Sequence, residues 1–214
     1  MITVLVANLL CQYDELNIES EVLSIMETII YAHPWSGSFN NAELKAITTK
    51  LAAAKTAYQI IDLYHDGFRP AYTAEELKNF SHGVALDPLV KQYQAQLRAS
   101  SKLTFIFPIW WSNAPAIIKG FIDKVMLPGF AYHEDTNWHG HLTWIQQVAI
   151  FTTSEVSQSQ LENNYGNPIQ NWLINTLLRD LGIPAQQVTW SHFGEINSST
   201  PAQRQAYLEQ LTTR

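Results

Sequence analysis

The apolar segment at residues 103–107 (LTFIF) constrains the fold more than any other part of the sequence. A strand on a protein surface alternates polar and apolar residues, whereas a continuous apolar run indicates a strand that is covered on both faces. Such strands are typical of parallel sheets with helices packed on either side. Because Pro108 ends the run, a loop should follow it directly. We therefore expect an α/β protein with this segment as a buried strand.

Strand and helix patterns alternate along the chain from Met26 onwards. Further strands are predicted at 28–32, 58–63, 148–151 and 187–190. Helices are predicted at 41–54, with Asn40 as N-cap, and at 88–99, with Asp87 as N-cap. Further helices are predicted at 117–125, at 169–181 following Pro168, and at the C-terminus following Thr200. A capping box at Thr73 predicts one more, short helix. Strands that alternate with helices in this way predict a five-stranded parallel sheet with helices on both faces.

Composition limits the classes of partner. The chain has 214 residues, with 19 Asp plus Glu against 13 Lys plus Arg and a net charge of -6. No basic field is available for nucleic acid, and no run is long and apolar enough to cross a bilayer, so neither a nucleic-acid partner nor an integral membrane segment is expected. The single cysteine, Cys11, excludes an intrachain disulfide and any multi-cysteine metal site. A cytoplasmic protein is expected.

The domain is predicted to span residues 26–214. Residues 1–25 form an N-terminal extension, and the sequence leaves open whether it is an appendage or an extra element packed on the domain. Its opening apolar stretch carries no basic residue, which is not the pattern of a signal peptide. Residues Asp123 and Lys124 are expected on the solvated face of the helix at 117–125.

The carboxyl ends of the strands should form the ligand site. In open parallel sheets, ligands bind beyond these ends, near the point where the strand order reverses. The loops at 33–40, 108–115 and 152–165 are therefore the candidate ligand-binding loops. The first of them (HPWSGSFN) joins a strand to the start of a helix, where free N–H groups and the helix dipole favour an anion such as phosphate. An ordinary capped loop is the alternative.

The other two loops favour a flat aromatic ligand. Adjacent Trp110 and Trp111 follow a strand, and buried indoles would each need a hydrogen-bond partner for the ring N–H. The loop at 152–155 offers hydroxyl and backbone groups to the edge of a ring. A phosphate at the first loop and a planar ring between the other two describe flavin mononucleotide (FMN).

Several segments of the sequence resemble those of a known protein family. The stretches at 31–33 and 39–40, together with 107–111 (FPIWW), 115–120 (PAIIKG) and 129–132 (GFAY), resemble the flavodoxin-fold NAD(P)H:quinone oxidoreductases. This is the DT-diaphorase-like family, including its short bacterial members. The resemblance implies a flavodoxin-like sheet of order 2-1-3-4-5, a flavin cofactor, a quinone as acceptor and a homodimer with composite sites.

The resemblance also implies roles for individual residues. The flavin phosphate would be held by His33, Ser38, Phe39 and Asn40, the isoalloxazine by Pro108, Ile109, Trp110 and Trp111, and the ring edge by Thr152, Thr153 and Ser154. The family's paired glycines in this last loop are replaced by Ser154 and Glu155. Tyr165 stands where the family has a histidine that helps to accommodate charge on the reduced flavin and quinone. Tyr132 matches a tyrosine that lines the quinone pocket across the dimer interface.

The implied reaction is a ping-pong hydride transfer. NADH or NADPH would reduce the flavin, and a quinone would then take two electrons in the same slot. FMN is favoured over FAD because the chain ends soon after the last strand. The alternatives are an ancillary subunit of a potassium-efflux system, a one-electron flavodoxin-type carrier, or a reductase of azo or nitro compounds. No metal is expected, and His133, His139 and His141 are interpreted as surface loop residues.

Overall fold

A computed structural model describes residues 26–213, so the predicted extension at 1–25, with Cys11, lies outside the described residues. The described residues contain seven strands: β1 (Glu27–Tyr31), β2 (Tyr58–Asp62), β3 (Lys102–Pro108), β4 (Tyr132–Glu134), β5 (Trp138–Gly140), β6 (Gln147–Thr153) and β7 (Val188–Phe193). Five of them form one parallel sheet of order β2-β1-β3-β6-β7, while β4 and β5 form an antiparallel hairpin. The predicted order 2-1-3-4-5 is therefore confirmed for the parallel sheet, and the hairpin is an addition.

Between residues 26 and 213, seven helices connect and cover these strands. They are α1 (Phe39–Ala53), α2 (Ala74–Lys78), α3 (Pro88–Arg98), α4 (Ala116–Val125), α5 (Gln158–Asn164), α6 (Ile169–Leu178) and α7 (Pro201–Thr213), with short 3-10 turns at Phe80–His82, Leu142–Trp144 and Ala185–Gln187. Within residues 26–213, no helix is long and apolar enough to span a membrane.

Neighbouring residues on the central strands point to opposite faces of the sheet. On one face, α1 and α7 bury Ile47 and Leu211 against Ile29 and Ile106. On the other face, the larger core contains the next strand residues together with α3, α4 and α6, including Ile30, Phe105, Tyr93, Phe121 and Leu173. This double cover explains why residues 103–107 carry no polar alternation.

The start of α1 differs from the prediction. Ser38, rather than Asn40, is the N-cap, because its Oγ accepts a hydrogen bond from the Asn41 N–H at 3.1 Å. Asn40 is the second residue of the helix and is buried, and its amide donates to Glu43 within the helix and accepts from the distant Thr153. The segment SFNN offers several residues able to cap, so the pattern alone did not identify the right one. The predicted caps at Thr73 and Asp87 are confirmed.

Helix α6 is a π-helix, in which each hydrogen bond spans five residues instead of four. The α-helical spacing predicted an apolar face of Ile169, Leu173, Leu177 and Leu181. In the wider helix, Leu178 is buried and Leu177 is only half-buried. Ile169, Leu173 and Leu181 are buried as predicted, so the prediction is wrong at Leu177 alone, whose place in the core is taken by Leu178.

Lys124 is also placed differently from the prediction. It was expected on the solvated face of α4, but only 3% of it is exposed. Its Nζ lies 2.8 Å from the Glu76 carboxylate and 3.5 Å from that of Asp87, and it donates to the Arg69 carbonyl. The carboxylates come from separate parts of the chain, so the local helical pattern contained no sign of them.

Candidate active site

Three loops meet at the carboxyl edge of the sheet, after β1, β3 and β6. The Ile109 N–H donates to the Thr153 carbonyl at 2.8 Å, which ties the loop after β3 to the end of β6. The Thr153 hydroxyl donates to Asn40 Oδ1 at 2.9 Å, which ties β6 to the first turn of α1. Because β1 lies between β2 and β3, this is the point where the strand order reverses and where such sheets bind ligands.

The loop after β1 leads into a capped helix start, a feature that generally favours anions. Ser38 caps α1, and the 33–40 loop contains no lysine or arginine, so an anion would be held by N–H groups, hydroxyls and the helix dipole. His33 adds a donor, since its Nδ1 accepts from the Trp35 N–H and the ring proton therefore resides on Nε2. Burial lowers the pKa of His33 and favours this neutral form.

The loop after β3 is a tight turn with unusual residues. Trp110 and Asn113 exchange backbone hydrogen bonds of 2.9 and 3.1 Å, and the two residues between them, Trp111 and Ser112, have φ angles of 50° and 57°. Positive φ at both central positions is typical of a type I′ turn, which normally carries Asn or Gly. A tryptophan there is strained, and its indole is completely exposed, at 101%. Strain without packing gain indicates a functional position.

His192 holds the loop after β6 in place through hydrogen bonds. This residue was not predicted from the sequence. In the neutral ring, Nε2 donates to the Val156 carbonyl at 3.0 Å and Nδ1 accepts from the Thr152 hydroxyl at 2.9 Å. Trp190 donates its indole N–H to the same hydroxyl at 2.8 Å. Burial lowers the pKa of His192, so the ring stays neutral. The only sequence signal was a histidine two residues after the last predicted strand, which was expected to end at residue 190.

A cavity of about 730 Å³ opens between the second and third loops. It is lined by Ile109, Trp110, Trp111, Ser112, Ser154, Glu155, Val156 and Tyr165. The cavity has two indoles on one side, a backbone loop on the other and the capped helix start nearby. This arrangement fits a flat ring that carries a phosphate tail, as in FMN. The rings of His33 and Trp110, 6.1 Å apart edge-to-face, connect the anion loop to the cavity wall.

The predicted cofactor residues divide into two groups. Ile109, Trp110, Trp111 and Ser154 line the cavity, and so does Tyr165. Pro108, Asn40, Thr152 and Thr153 are buried, with the polar side chains among them engaged inside the protein. Phe39 packs on Phe193, with ring centroids 4.8 Å apart. The buried residues therefore hold the loops in place, and contacts from them to a ligand would come through the backbone.

Tyr132 lies in a different cavity. This cavity, of about 410 Å³, includes Tyr72, Phe80 and Trp138 in its wall and shares no lining residue with the first one. The Tyr132 and Trp138 rings are stacked, with centroids 4.1 Å apart. One chain therefore does not bring Tyr132 to the Trp110–Trp111 cavity, and its predicted role requires a second copy.

Fold and site together define a class. A 2-1-3-4-5 parallel sheet, with a capped helix start and an aromatic cavity at its switch point, is a flavodoxin-like domain. Comparison with known proteins agrees, since a family model described as a flavodoxin-like fold matches residues 28–214. The chain belongs to the flavodoxin-like NAD(P)H oxidoreductase family and is an oxidoreductase.

Individual relatives support this assignment. An uncharacterized NAD(P)H oxidoreductase of Haemophilus influenzae is 31% identical over 85% of this chain and 89% of its own length. A second one, from Escherichia coli, is 31% identical over 76% of this chain and 81% of its own. Among solved structures, an NAD(P)H:quinone oxidoreductase from Methanothermobacter marburgensis superposes with a TM-score of 0.77 at 26% identity, covering 88% of this chain and 96% of that one.

Proposed function

We propose that the protein is an FMN-dependent NAD(P)H:quinone oxidoreductase. The observation that carries the proposal is the aromatic cavity beside the capped start of α1, at the edge where β1, β3 and β6 end. Support comes from the similar structure from M. marburgensis, which is that of an NAD(P)H:quinone oxidoreductase. A Bacillus anthracis azoreductase of the same fold was solved with FMN, although at 15% identity it supports the fold alone.

The residues have separable tasks in this proposal. The N–H groups at the start of α1, with Ser38 and His33, would hold the phosphate, while Trp110 and Trp111 would flank the ring. The cofactor, when bound, supplies two-electron hydride chemistry between a nicotinamide and an acceptor. The chain orients the ring and keeps water from one face. Nicotinamide and quinone would occupy the same slot in turn, which is a ping-pong scheme.

Two tyrosines would complete the site. Tyr165 is about half exposed on the cavity wall, where its hydroxyl is free to donate a hydrogen bond to a reduced ring or a quinone oxygen. Tyr132 would enter from a second copy of the chain, because its own cavity is separate. We therefore include a symmetric homodimer in the proposal. Azo compounds are a second acceptor class for the same hydride chemistry.

The visible absorption spectrum tests the proposal directly. Purified protein should carry a flavin band that bleaches with anaerobic NADPH or NADH and returns when menadione is added. Chromatography of the released cofactor should give FMN, and sedimentation should give twice the chain mass of 24.3 kDa. A protein that neither contains nor takes up FMN or FAD would refute the function and leave only the fold, whereas FAD in the eluate would overturn the choice of FMN.

Trp111→Ala is expected to weaken flavin binding about 5- to 30-fold, because the loss of a stacking wall costs roughly 1–2 kcal/mol. The thermal midpoint of the apoprotein should stay unchanged, since the indole is fully exposed and makes no contribution to the core. Titration of apoprotein with FMN, followed by flavin fluorescence, measures the effect. Trp111→Phe should recover most of the affinity. Equal affinity in Trp111→Ala and wild type would show that Trp111 is not part of the wall.

A further inference from the structure

The β4–β5 hairpin gathers three imidazoles and a carboxylate, His133, His139, His141 and Asp135, on one exposed surface. We infer that this surface is a binding site for a divalent transition metal of the zinc class, with His133, Asp135 and His139 as ligands. Within one chain, the site shares no residue with the flavin cavity. One nitrogen or oxygen from each of these three residues lies within 4.8 Å of the others.

Strand register brings the two histidine ligands together. His133 and His139 are directly paired across the antiparallel hairpin, and their rings lie parallel with centroids 4.5 Å apart. Neighbours paired in this way present their side chains on the same face. The sequence interval of six residues did not reveal this relation, because it requires the hairpin that the helix and strand patterns had not predicted.

The turn places the carboxylate near one nitrogen of each ring. Asp135 Oδ1 lies 3.2 Å from His139 Nε2, and Oδ2 lies 4.0 Å from His133 Nε2. The Asn137 N–H donates to Oδ1 at 2.9 Å, which fixes the carboxylate against the turn. Both ring nitrogens that would bind a metal therefore already face the same carboxylate.

His141 has the position of a supporting residue. Its Nε2 lies 2.6 Å from Nδ1 of His133. If His133 donates its Nδ1 proton there, its Nε2 keeps a free lone pair directed towards Asp135. A metal-binding histidine usually has its second nitrogen held in this way, and that contact sets both the tautomer and the ring orientation.

The donor set selects the metal. Two imidazoles and one carboxylate suit Zn²⁺, Co²⁺ or Ni²⁺, whereas Mg²⁺ and Ca²⁺ prefer oxygen ligands alone. Tetrahedral ligands about 2.0–2.1 Å from zinc lie about 3.3 Å from one another. The three groups have to approach by up to about 1.5 Å from their spacing of 4.8 Å, a shift within the reach of exposed side chains. Three protein ligands leave the fourth position to water.

Metal titration of the tag-free protein tests the inference. Wild type should bind one Zn²⁺ per chain by calorimetry, and Co²⁺ should give the visible bands of a nitrogen- and oxygen-ligated ion. His139→Gln should weaken zinc binding at least about 100-fold, and His141→Gln by about 10–100-fold, as expected for a supporting partner. His82→Gln changes an exposed histidine outside the cluster and should leave binding unchanged.

Stability measurements separate metal binding from folding defects. Without metal, all three variants should melt like wild type, because the mutated side chains are at the surface. Excess Zn²⁺ should raise the melting temperature of wild type and His82→Gln but not of His139→Gln, since a ligand that binds only the folded state stabilises it. Absence of saturable zinc binding by wild type, or unchanged binding by His139→Gln, would overturn the site.

Discussion

Lys124→Met is expected to lower the free energy of unfolding by about 3–5 kcal/mol at pH 7, because it leaves two carboxylates without their cation inside the protein. Glu76 and Asp87 have side chains that are only 12% and 11% exposed, and both face Lys124 Nζ. Methionine keeps the length and apolar stem of lysine, so the loss reports the charge rather than packing. Urea denaturation of the apoprotein measures it.

Lys119→Met is the matched control on the same helix. Lys119 pairs with Asp123 at the surface, and exposed pairs of this kind contribute at most about 1 kcal/mol. A second variant, Lys124→Met with Glu76→Gln, should recover part of the loss, since one unpaired charge is removed. If the free energy of unfolding of Lys124→Met lies within about 1 kcal/mol of the wild-type value, the buried ion pairs do not hold α2 and α3 against α4 as described.

The acid side of the pH profile should also report this cluster. Burial alone would raise the pKa of Glu76, but hydrogen bonds from Lys124 and from the Thr73 N–H outweigh it and the net pKa is lowered. A carboxyl with a lowered folded-state pKa stabilises the protein above its unfolded value and loses that contribution as the pH falls through the folded value. Wild type should therefore lose more stability than Lys124→Met on acidification below about pH 4.5.

The sheet was predictable because each of its strands is encoded by one short, continuous segment of the sequence. The continuous run at 103–107 and four similar runs identified all five parallel strands, and the order followed from the family resemblance. What could not be predicted depends on partners distant in the chain. Lys124 meets carboxylates 37 and more residues away in sequence, and the imidazoles of the hairpin meet through a strand register. The π-helix α6 deviates from the 3.6-residue period that pattern reading assumes.

The candidate site shows the same division. Loops at strand ends could be selected from the sequence, and five of the residues named there line one cavity. The sequence did not reveal which side chains face the ligand and which support the loop, because Asn40, Thr152 and Thr153 gain their partners only in the folded chain. Glu43 was also missed, although its spacing of four and eight residues from Ile47 and Leu51 places it on the buried face of α1.

Glu43→Gln is expected to stabilise the protein at alkaline pH, because the wild-type carboxyl has to give up its proton inside the core. Glu43 is fully buried, and burial raises its pKa to about 8, although hydrogen bonds from Asn40 and Tyr207 oppose the shift. The Asn40 amide donates to Glu43 Oε2 at 2.8 Å. Glutamine keeps an oxygen for this bond and carries no charge at any pH.

The expected difference has a defined pH window. A carboxyl whose folded-state pKa is raised contributes its full stability below the unfolded value of 4.5, and loses it as the pH rises through the folded value of about 8. Within the window the folded state holds one proton more than the unfolded state, so wild type should lose about 1.4 kcal/mol per pH unit relative to Glu43→Gln. Above pH 8 the difference should level off at roughly 4–5 kcal/mol.

Urea denaturation of wild type and Glu43→Gln at pH 5.5, 7.0 and 8.5 measures this slope. Glu162→Gln, on the exposed side of α5, is the control and should track wild type at all three pH values. If the free energies of unfolding of wild type and Glu43→Gln change in parallel with pH, Glu43 is ionised in the folded protein and has a compensating interaction. If Glu43→Gln alone removes the loss of stability with rising pH, Glu43 is a neutral carboxylic acid in the folded protein. Because Glu43 lies on the helix that begins at the proposed phosphate site, its side chain then places no negative charge against an anion there at neutral pH.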